Sequence, residues 1–296
     1  MLTTPFLRPG EGSSRSMVKS VNGSAAMAVT LSDIIRILEK MAPPSLAEEW
    51  DNVGLQVGNP CRNVSSVWVA LDPSPDVVAA ACRARVDLLI THHPLIFRPL
   101  NRINVLTPQG VVIARAIQRC LAVYSMHTNL DAVSAGLNDM LAHRLGLQRL
   151  KPLAFRPGAN NSRARGMGRV GWLPRRMTVR ELAMEVKRRL GIETVRAAGD
   201  EMGKVKRVAL STGSGGSFVP QFLASDAEAF ITGDLRYHEA REIEAAGRGA
   251  IDIGHFHSEH LFAGVLAQRL RRALRGCRPA FRVEACPLER DAFIYL

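Results

Sequence analysis

The stretch Asp87-Leu88-Leu89-Ile90-Thr91-His92-His93-Pro94 (residues 87–94) decides how this chain is read. Leu88 to Thr91 has the length and apolar content of a short buried strand. Pro94 stops it, because proline has no N–H for a sheet ladder and forces the preceding residue into an extended conformation. Two adjacent imidazoles therefore stand at a strand's carboxyl end, where open α/β sheets gather their ligand sites. Such a pair is either a hydrogen-bonded surface feature or part of a metal or acid–base centre. The remainder of the chain favours the second, because the same form recurs. Leu121–Ser125 runs into His127 and Asp131, and Ala250–Ile253 runs into His255 and Glu259.

Around these strands helices alternate regularly. Leu31, Ile34, Ile35 and Leu38 have helical spacing behind Thr30 or Ser32 as cap, and Pro43-Pro44 ends the run. Val67–Leu71 is a strand followed by Asp72-Pro73-Ser74-Pro75 and a helix through Arg83; further helices are expected from Thr107-Pro108 to Arg119 and from Gly136 to Leu145. This alternation predicts a parallel or mixed sheet covered on both faces. Residues 148–168, rich in Arg, Pro, Gly and Asn without period, predict a long basic linker. A second α/β run follows. Thr178-Val179-Arg180-Glu181 is a capping box whose helix stops at Gly191. Strands are expected at 205–210, 230–232 and 250–253, a long helix to about Arg275 and a last strand at 280–285. The expected organisation is a disordered tail (1–26), a first α/β lobe (27–147), the linker (148–168) and a second lobe (169–296).

Composition narrows the class. With 296 residues, 47% of them hydrophobic and 22% charged, the chain is globular and large enough for one or two domains. No apolar run approaches the ~20 residues of a membrane span. The five cysteines are odd in number and scattered, without a CxxC pair. That points to a reducing, cytoplasmic setting and away from a disulfide framework. The formal net charge of +12, with arginines crowded in 144–176 and 269–275, favours anionic partners: nucleotide, polyphosphate or non-specifically bound nucleic acid. Solvated arginine faces account for the same composition. The glycine-rich Ser211–Ser217 segment has the setting of an anion cradle but lacks both the P-loop lysine and the GxGxxG spacing.

The chemistry lies at the strand exits. Parallel strands bring their carboxyl ends to one edge, so His92, His93, His127, Asp131, His255 and Glu259 can converge despite their separation. Imidazoles mixed with carboxylates suit Zn, Mn, Fe or Co and not calcium. Two divalent ions bridged by one carboxylate would satisfy the set, and Glu259, in the first turn of a helix, is the bridging candidate. There is no HExxH sequence, which excludes a zincin.

Five motifs, EEWDNVGLQVG (48–58), THHPLIF (91–97), HTNLD (127–131), ITGDLRYHEA (231–240) and GHFHSEH (254–260), occur in that order. Over roughly residues 30–296 the chain resembles the dinuclear-metal-centre proteins, the NGG-one-interacting-factor-three-like family, whose members are commonly named GTP cyclohydrolase I type 2 homologues. The resemblance implies two similar, intertwined three-layer α/β/α lobes with mixed sheets, assembled as a ring-shaped homohexamer with the metal sites facing its interior. It implies metal ligation by His92, His93, Asp131, His255 and Glu259; the inserted domain that some members carry between the lobes is expected to be absent or minimal here, where only the basic segment 148–168 and the Thr178 helix occupy that place. His257 departs from the family pattern. The implied reaction is hydrolytic opening of the GTP base with release of formate. His127 is expected either to transfer protons or to orient Asp131. A metal-dependent hydrolase on a nucleotide is thus one reading. The alternative is a metal-containing scaffold or regulator that binds protein or nucleic acid through its basic surface; metal-dependent turnover separates the two.

Overall fold

The computed structural model describes residues 29–155, 166–275 and 281–294. The expected tail (1–26), residues 156–165 of the expected linker and Cys277 lie outside them. The first half runs α1 (Leu31–Met41), β1 (Gly54–Val57), β2 (Ser66–Ala70), α2 (Pro75–Arg83), β3 (Leu88–Thr91), α3 (Pro108–Gln118), β4 (Ala122–Ser125), α4 (Thr128–Ala132) and α5 (Leu137–Arg144). The second runs β5 (Gln148–Phe155), β6 (Gly166–Thr178), α6 (Val179–Leu190), β7 (Arg196–Ala198), β8 (Lys204–Ser214), α7 (Val219–Ala224), β9 (Ala229–Gly233), α8 (Tyr237–Ala245), β10 (Gly249–Asp252), α9 (His255–Glu259), α10 (Leu261–Ala273) and β11 (Arg282–Ala285). Local chemistry sets many of these limits. Thr30 and Asp33 close a capping box at the start of α1, Thr178 and Glu181 do the same for α6, and Gly191 takes the left-handed conformation that ends α6.

Two mixed sheets result. The first has the order β1-β4-β3-β2-β11, with β2, β3, β4 and β11 parallel and β1 antiparallel at the edge. The second has the order β5-β6-β8-β9-β10-β7, with β8, β9 and β10 parallel and the other strands antiparallel to their neighbours. Alternate residues of each strand supply opposite faces. In the first sheet Val67, Val69, Leu88 and Ile90 pack under α1 and α10, while Trp68, Ala70 and Leu89 pack under α2 and α3. In the second, Val208, Leu210 and Ile231 face α5 and α6, and Ala209 and Phe230 face α7 and α8. Each lobe is therefore three layers, as expected.

The lobes exchange elements. Helix α5, from the first half, buries Leu141 and Leu145 against the second sheet. Helix α10 and strand β11, from the second half, complete the first sheet and its core. No helix among the described residues is long and apolar enough to cross a membrane. Cys61, Cys82, Cys120 and Cys286 are free thiols.

Two stretches differ from the sequence reading. Within 148–168, expected as a linker, residues 148–155 form β5 and residues from Gly166 onward form β6, an antiparallel pair in the second sheet. Their polar residues hid the strand period: Pro152 is tolerated because β5 is an edge strand, and Arg169 is polar yet buried. Likewise the strand expected at 205–210 continues through Ser211–Ser214, the first part of the glycine-rich segment, to the end of β8.

Arg169 holds the exchange together. It is 3% exposed, and every one of its N–H groups is used. Nε and Nη2 form a fork on the Asp139 carboxylate at 2.7 and 2.9 Å, Nη1 donates to the Gly166 and Gly168 carbonyls, and Nη2 also reaches the Val133 carbonyl. Asp139 and Val133 belong to the first half, Arg169 to β6, so this pair fastens the segment carrying Asp131 to the second sheet. Removing one partner of a buried pair leaves the other charge uncompensated, at ~3–5 kcal/mol. Arg169→Ala should lose stability of that order in chemical denaturation, and a loss below ~1 kcal/mol, the range of surface pairs, would contradict this account.

Candidate metal centre

The carboxyl ends of β3, β4 and β10 meet where the two lobes join. His92 and His93 continue the line of β3, their N–H groups donating to the Ala70 and Leu71 carbonyls of the neighbouring chain segment. His127 follows β4, Asp131 sits in α4, and His255 and Glu259 are the first and last residues of α9. His93 Nε2 lies 3.3 Å from His255 Nε2, across the junction of the lobes.

Each imidazole is fixed through its outer nitrogen. His92 Nδ1 lies 2.8 Å from the Met126 carbonyl. A carbonyl only accepts, so Nδ1 donates to it and Nε2 is turned inward towards the Glu259 and Asp131 carboxylates. His93 Nδ1 pairs with Asp72, His127 Nδ1 with Asp51 and His255 Nδ1 with Asp234, each at 2.8 Å. An outer acceptor on Nδ1 is the arrangement that orients a metal-binding histidine and sets its tautomer. Burial opposes the charge of Asp51, but hydrogen bonds from His127 and Thr128 outweigh it and bring its pKa down to about 2.

Glu259, 3% exposed, stands among the inner nitrogens. Its Oε1 is 3.5 Å from His92 Nε2, and its Oε2 is 3.1 Å from both His93 Nε2 and His255 Nε2. Gly213, with φ +63°, lies so close that a side chain there would collide with Oε1. Asp131 Oδ1 is 3.9 Å from His92 Nε2 and accepts from Thr212 Oγ1 at 3.4 Å. Burial raises the Asp131 pKa. Burial would raise that of Glu259 too, but the surrounding imidazoles hold it well below the usual carboxylate range. On His93 burial opposes the charge, yet the Asp72 and Glu259 carboxylates push its pKa up to about 10; the Glu259 carboxylate takes His255 up to about 9 against the cost of burial.

The donor set fits a metal. His92 Nε2 and Glu259 Oε2 are buried without an aligned hydrogen-bond partner, a costly state that a cation between them would relieve. Two groups have the spacing to hold an ion: His92 with His93 and His127, and His93 with His255 and Glu259. Of the five expected ligands, His92, His93, His255 and Glu259 fall in these groups; Asp131 falls in neither and stands 3.9 Å from His92 Nε2, whereas His127, expected outside the ligand set, shares a group with His92 and His93. Its side chain bonds Asp51 and not Asp131, so the expected orienting role toward Asp131 is not the one it performs. His257 faces Asp291, 3.5 Å away, and belongs to neither group. The outer partners Asp51, Asp72 and Asp234 were not singled out in the sequence, although Asp51 and Asp234 lie inside quoted motifs and Asp72 follows the strand expected at 67–71.

Comparison with known proteins places these features in context. The family model described as Duf34/NIF3 (NGG1p interacting factor 3) matches residues 29–291. A Clostridium perfringens protein named GTP cyclohydrolase 1 type 2 homolog is 39% identical over 229 residues, covering 77% of this chain and 86% of its own. A Streptomyces coelicolor protein of the same name is 39% identical over 232 residues, covering 77% and 81%. The crystal structure of a Bacillus cereus protein related to NIF3 superposes with a TM-score of 0.85 at 25% identity, over 91% of this chain and all of that one.

Protons and metal compete for the same nitrogens. Imidazoles must be neutral to bind an ion, so metal uptake expels the protons that His93 and His255 retain up to about 10 and about 9 in the metal-free site. Calorimetry in buffers of differing ionisation enthalpy should show proton release on Zn or Mn binding. The apparent affinity should rise as pH rises towards about 9. A pH-independent affinity across that range would contradict the assignment.

Proposed function

The chain belongs to the Duf34/NIF3 family, and from that premise we propose that it is a dinuclear-metal hydrolase acting on a nucleotide. The observation that supports this reading is the convergence of the inner nitrogens of His92, His93 and His255 on the buried Glu259 carboxylate, with no aligned hydrogen bond at His92 Nε2 or Glu259 Oε2, while the outer nitrogens are all engaged. His92, His93, Asp131, His255 and Glu259 would hold two ions drawn from Zn, Mn, Fe or Co. Glu259 suits the shared position because its two oxygens face different histidines. Such a pair supplies Lewis-acid polarisation of the substrate and a nucleophile from water near neutral pH.

The chain's own groups do the rest. Asp51 holds His127 by Nδ1 and leaves Nε2 as the nitrogen that gives or takes a proton at the substrate, work that contributes ~10²–10⁴-fold in rate. Asp72 and Asp234 keep His93 and His255 in place as positioning residues. The names of the relatives support GTP as the first nucleotide to try, and the net charge of +12 suits an anionic substrate. A homohexamer is part of the same reading.

The test is to load the full chain with Zn, Mn or Fe and follow a nucleotide panel by mass spectrometry. Metal-dependent conversion is expected; binding without turnover, with or without metal, would favour a scaffold. Elemental analysis should find about two ions per chain, fewer in Glu259→Ala or His92→Ala. In His127→Ala the metal content should stay near wild type while rate falls ~10²-fold or more; loss of one equivalent would make His127 a ligand instead. Sedimentation should give a hexamer, and a stable monomer at micromolar concentration would contradict that part.

A further inference from the structure

The edge of the first sheet opposite the histidines has its own concentration of charge. Arg85 and Asp87 lie just before β3, and Arg119 and Cys120 just before β4, whereas His92 and His127 follow those strands. The extended chain from Asp87 to His92 spans roughly 16 Å. A cavity of about 760 Å³ opens at this edge, and Arg62, Arg83, Arg85, Arg115 and Arg119 line it. Asp87 is the one carboxylate in the described lining, and its Oδ2 already accepts from Ser65 N, Ser65 Oγ and Ser66 N. Arg62 donates to the Cys120 carbonyl at 2.7 Å, and its Nη2 lies 4.0 Å from Asp87 Oδ1. Among the described residues, no hydrogen bond or ion pair engages the guanidinium groups of Arg83, Arg85, Arg115 and Arg119.

Helix electrostatics explain part of this cluster. Arg83 ends α2, Arg115 stands in the last turn of α3 and Arg119 follows it, where cations complement the helix dipole. Arg85 needs another reason. It comes after the C-cap of α2 with φ +53°, the left-handed position that helices usually give to glycine. A side chain is disfavoured in that conformation, yet the chain places a guanidinium there, in the wall of the cavity. Cys82, half-buried in the same wall, marks the convergence: burial pushes its thiol up, while Arg115, Arg119 and Arg83 each pull it down. Like charges around one concavity repel each other and focus a positive field into it.

Shape selects among anions. The volume is that of a small-ligand site, not of an extended groove that tracks a nucleic-acid backbone. The described lining has no aromatic ring on which a base could stack. Guanidinium forks match phosphate oxygens two at a time, and several forks around one concavity suit several linked phosphates. We propose that this arginine cavity is a second ligand site, binding a chain of two or more phosphates, either free polyphosphate or the phosphate tail of a nucleotide. It stands apart from the metal centre and does not depend on the chemistry assigned there.

The test is calorimetric titration of the full, metal-loaded chain with inorganic tripolyphosphate, GTP and guanosine. Arg85→Gly removes a guanidinium and gives the left-handed position its preferred residue. Its thermal stability should hold while tripolyphosphate binds about tenfold more weakly or worse, the effect of one lost charged hydrogen bond. The double variant R115Q/R119Q should bind it about 100-fold more weakly. Guanosine should leave tripolyphosphate bound. Arginine-dependent competition by GTP extends the site to nucleotides, and tripolyphosphate that GTP cannot displace restricts it to free polyphosphate; both results uphold it. Absence of tripolyphosphate binding overturns it, as does an affinity unchanged in both variants, because the anion then sits elsewhere, the metal centre included. Displacement by guanosine also overturns it. So does an oligonucleotide that displaces tripolyphosphate and binds more tightly, which marks a nucleic-acid surface, or a changed sedimentation coefficient in R115Q/R119Q, which marks an assembly contact.

Discussion

A carboxylate taken out of water must meet positive charge or lose its own. Glu259 is that carboxylate here, and much of the molecule can be understood as the means of surrounding it. Three imidazoles reach it from two different sheets, which requires the exits of β3 and β10 to face each other at 3.3 Å between ring nitrogens. The backbone of β8 passes so near that only glycine fits at position 213. Ser258, the residue before the carboxylate, secures that approach by accepting from Gly213 N and donating to the His255 carbonyl. The imidazoles in turn need acids behind them, which Asp72 and Asp234 supply from the ends of neighbouring strands. Charge compensation propagates outward shell by shell until it reaches solvent.

That hierarchy explains which parts were legible in the sequence. The strands that deliver His92, His93, His127 and His255 are short apolar runs with clear stops, and their bounds match the structure within a residue or two. Histidines at three strand exits, followed by a carboxylate at two of them, carried the rest. The outer acids were harder, because an aspartate after a strand looks the same whether it caps a turn or supports an imidazole. Strands β5 and β6 were hidden for a different reason. Their pattern includes a proline that an edge strand accepts and an arginine whose charge is cancelled internally, and neither is visible without knowing the neighbours.

The same internal cancellation changes the meaning of the basic composition. Arg169 is enclosed with Asp139. Arg188 and Arg189 share Glu185, Arg180 meets Glu201, Arg196 meets Asp252 and Arg207 meets Asp226. Arg269 donates to the Ala135 carbonyl. Several arginines that read in one dimension as an anion-attracting field are, in three, paired with carboxylates or carbonyls, and the net charge of +12 is what the remaining basic residues supply. The described residues that line the cavity beside the candidate metal centre are acidic where they are charged, His127 and His255 apart, although the protein as a whole is strongly basic.

The exchange of elements between lobes bears on how the chain is made. A growing polypeptide emerges from its amino end, yet the first sheet takes its edge strand, β11, from residues 282–285 and one face of its core from α10. The amino-terminal lobe therefore has only α1 to cover Val67, Val69 and Ile90 on that side until α10, near the far end of the chain, has been synthesised. Native pairing of β2 with β11 spans more than two hundred residues of sequence, the kind of distant contact that slows folding and prolongs exposure of apolar surface. The first sheet and its core are thus completed only once α10 and β11 are available to close them.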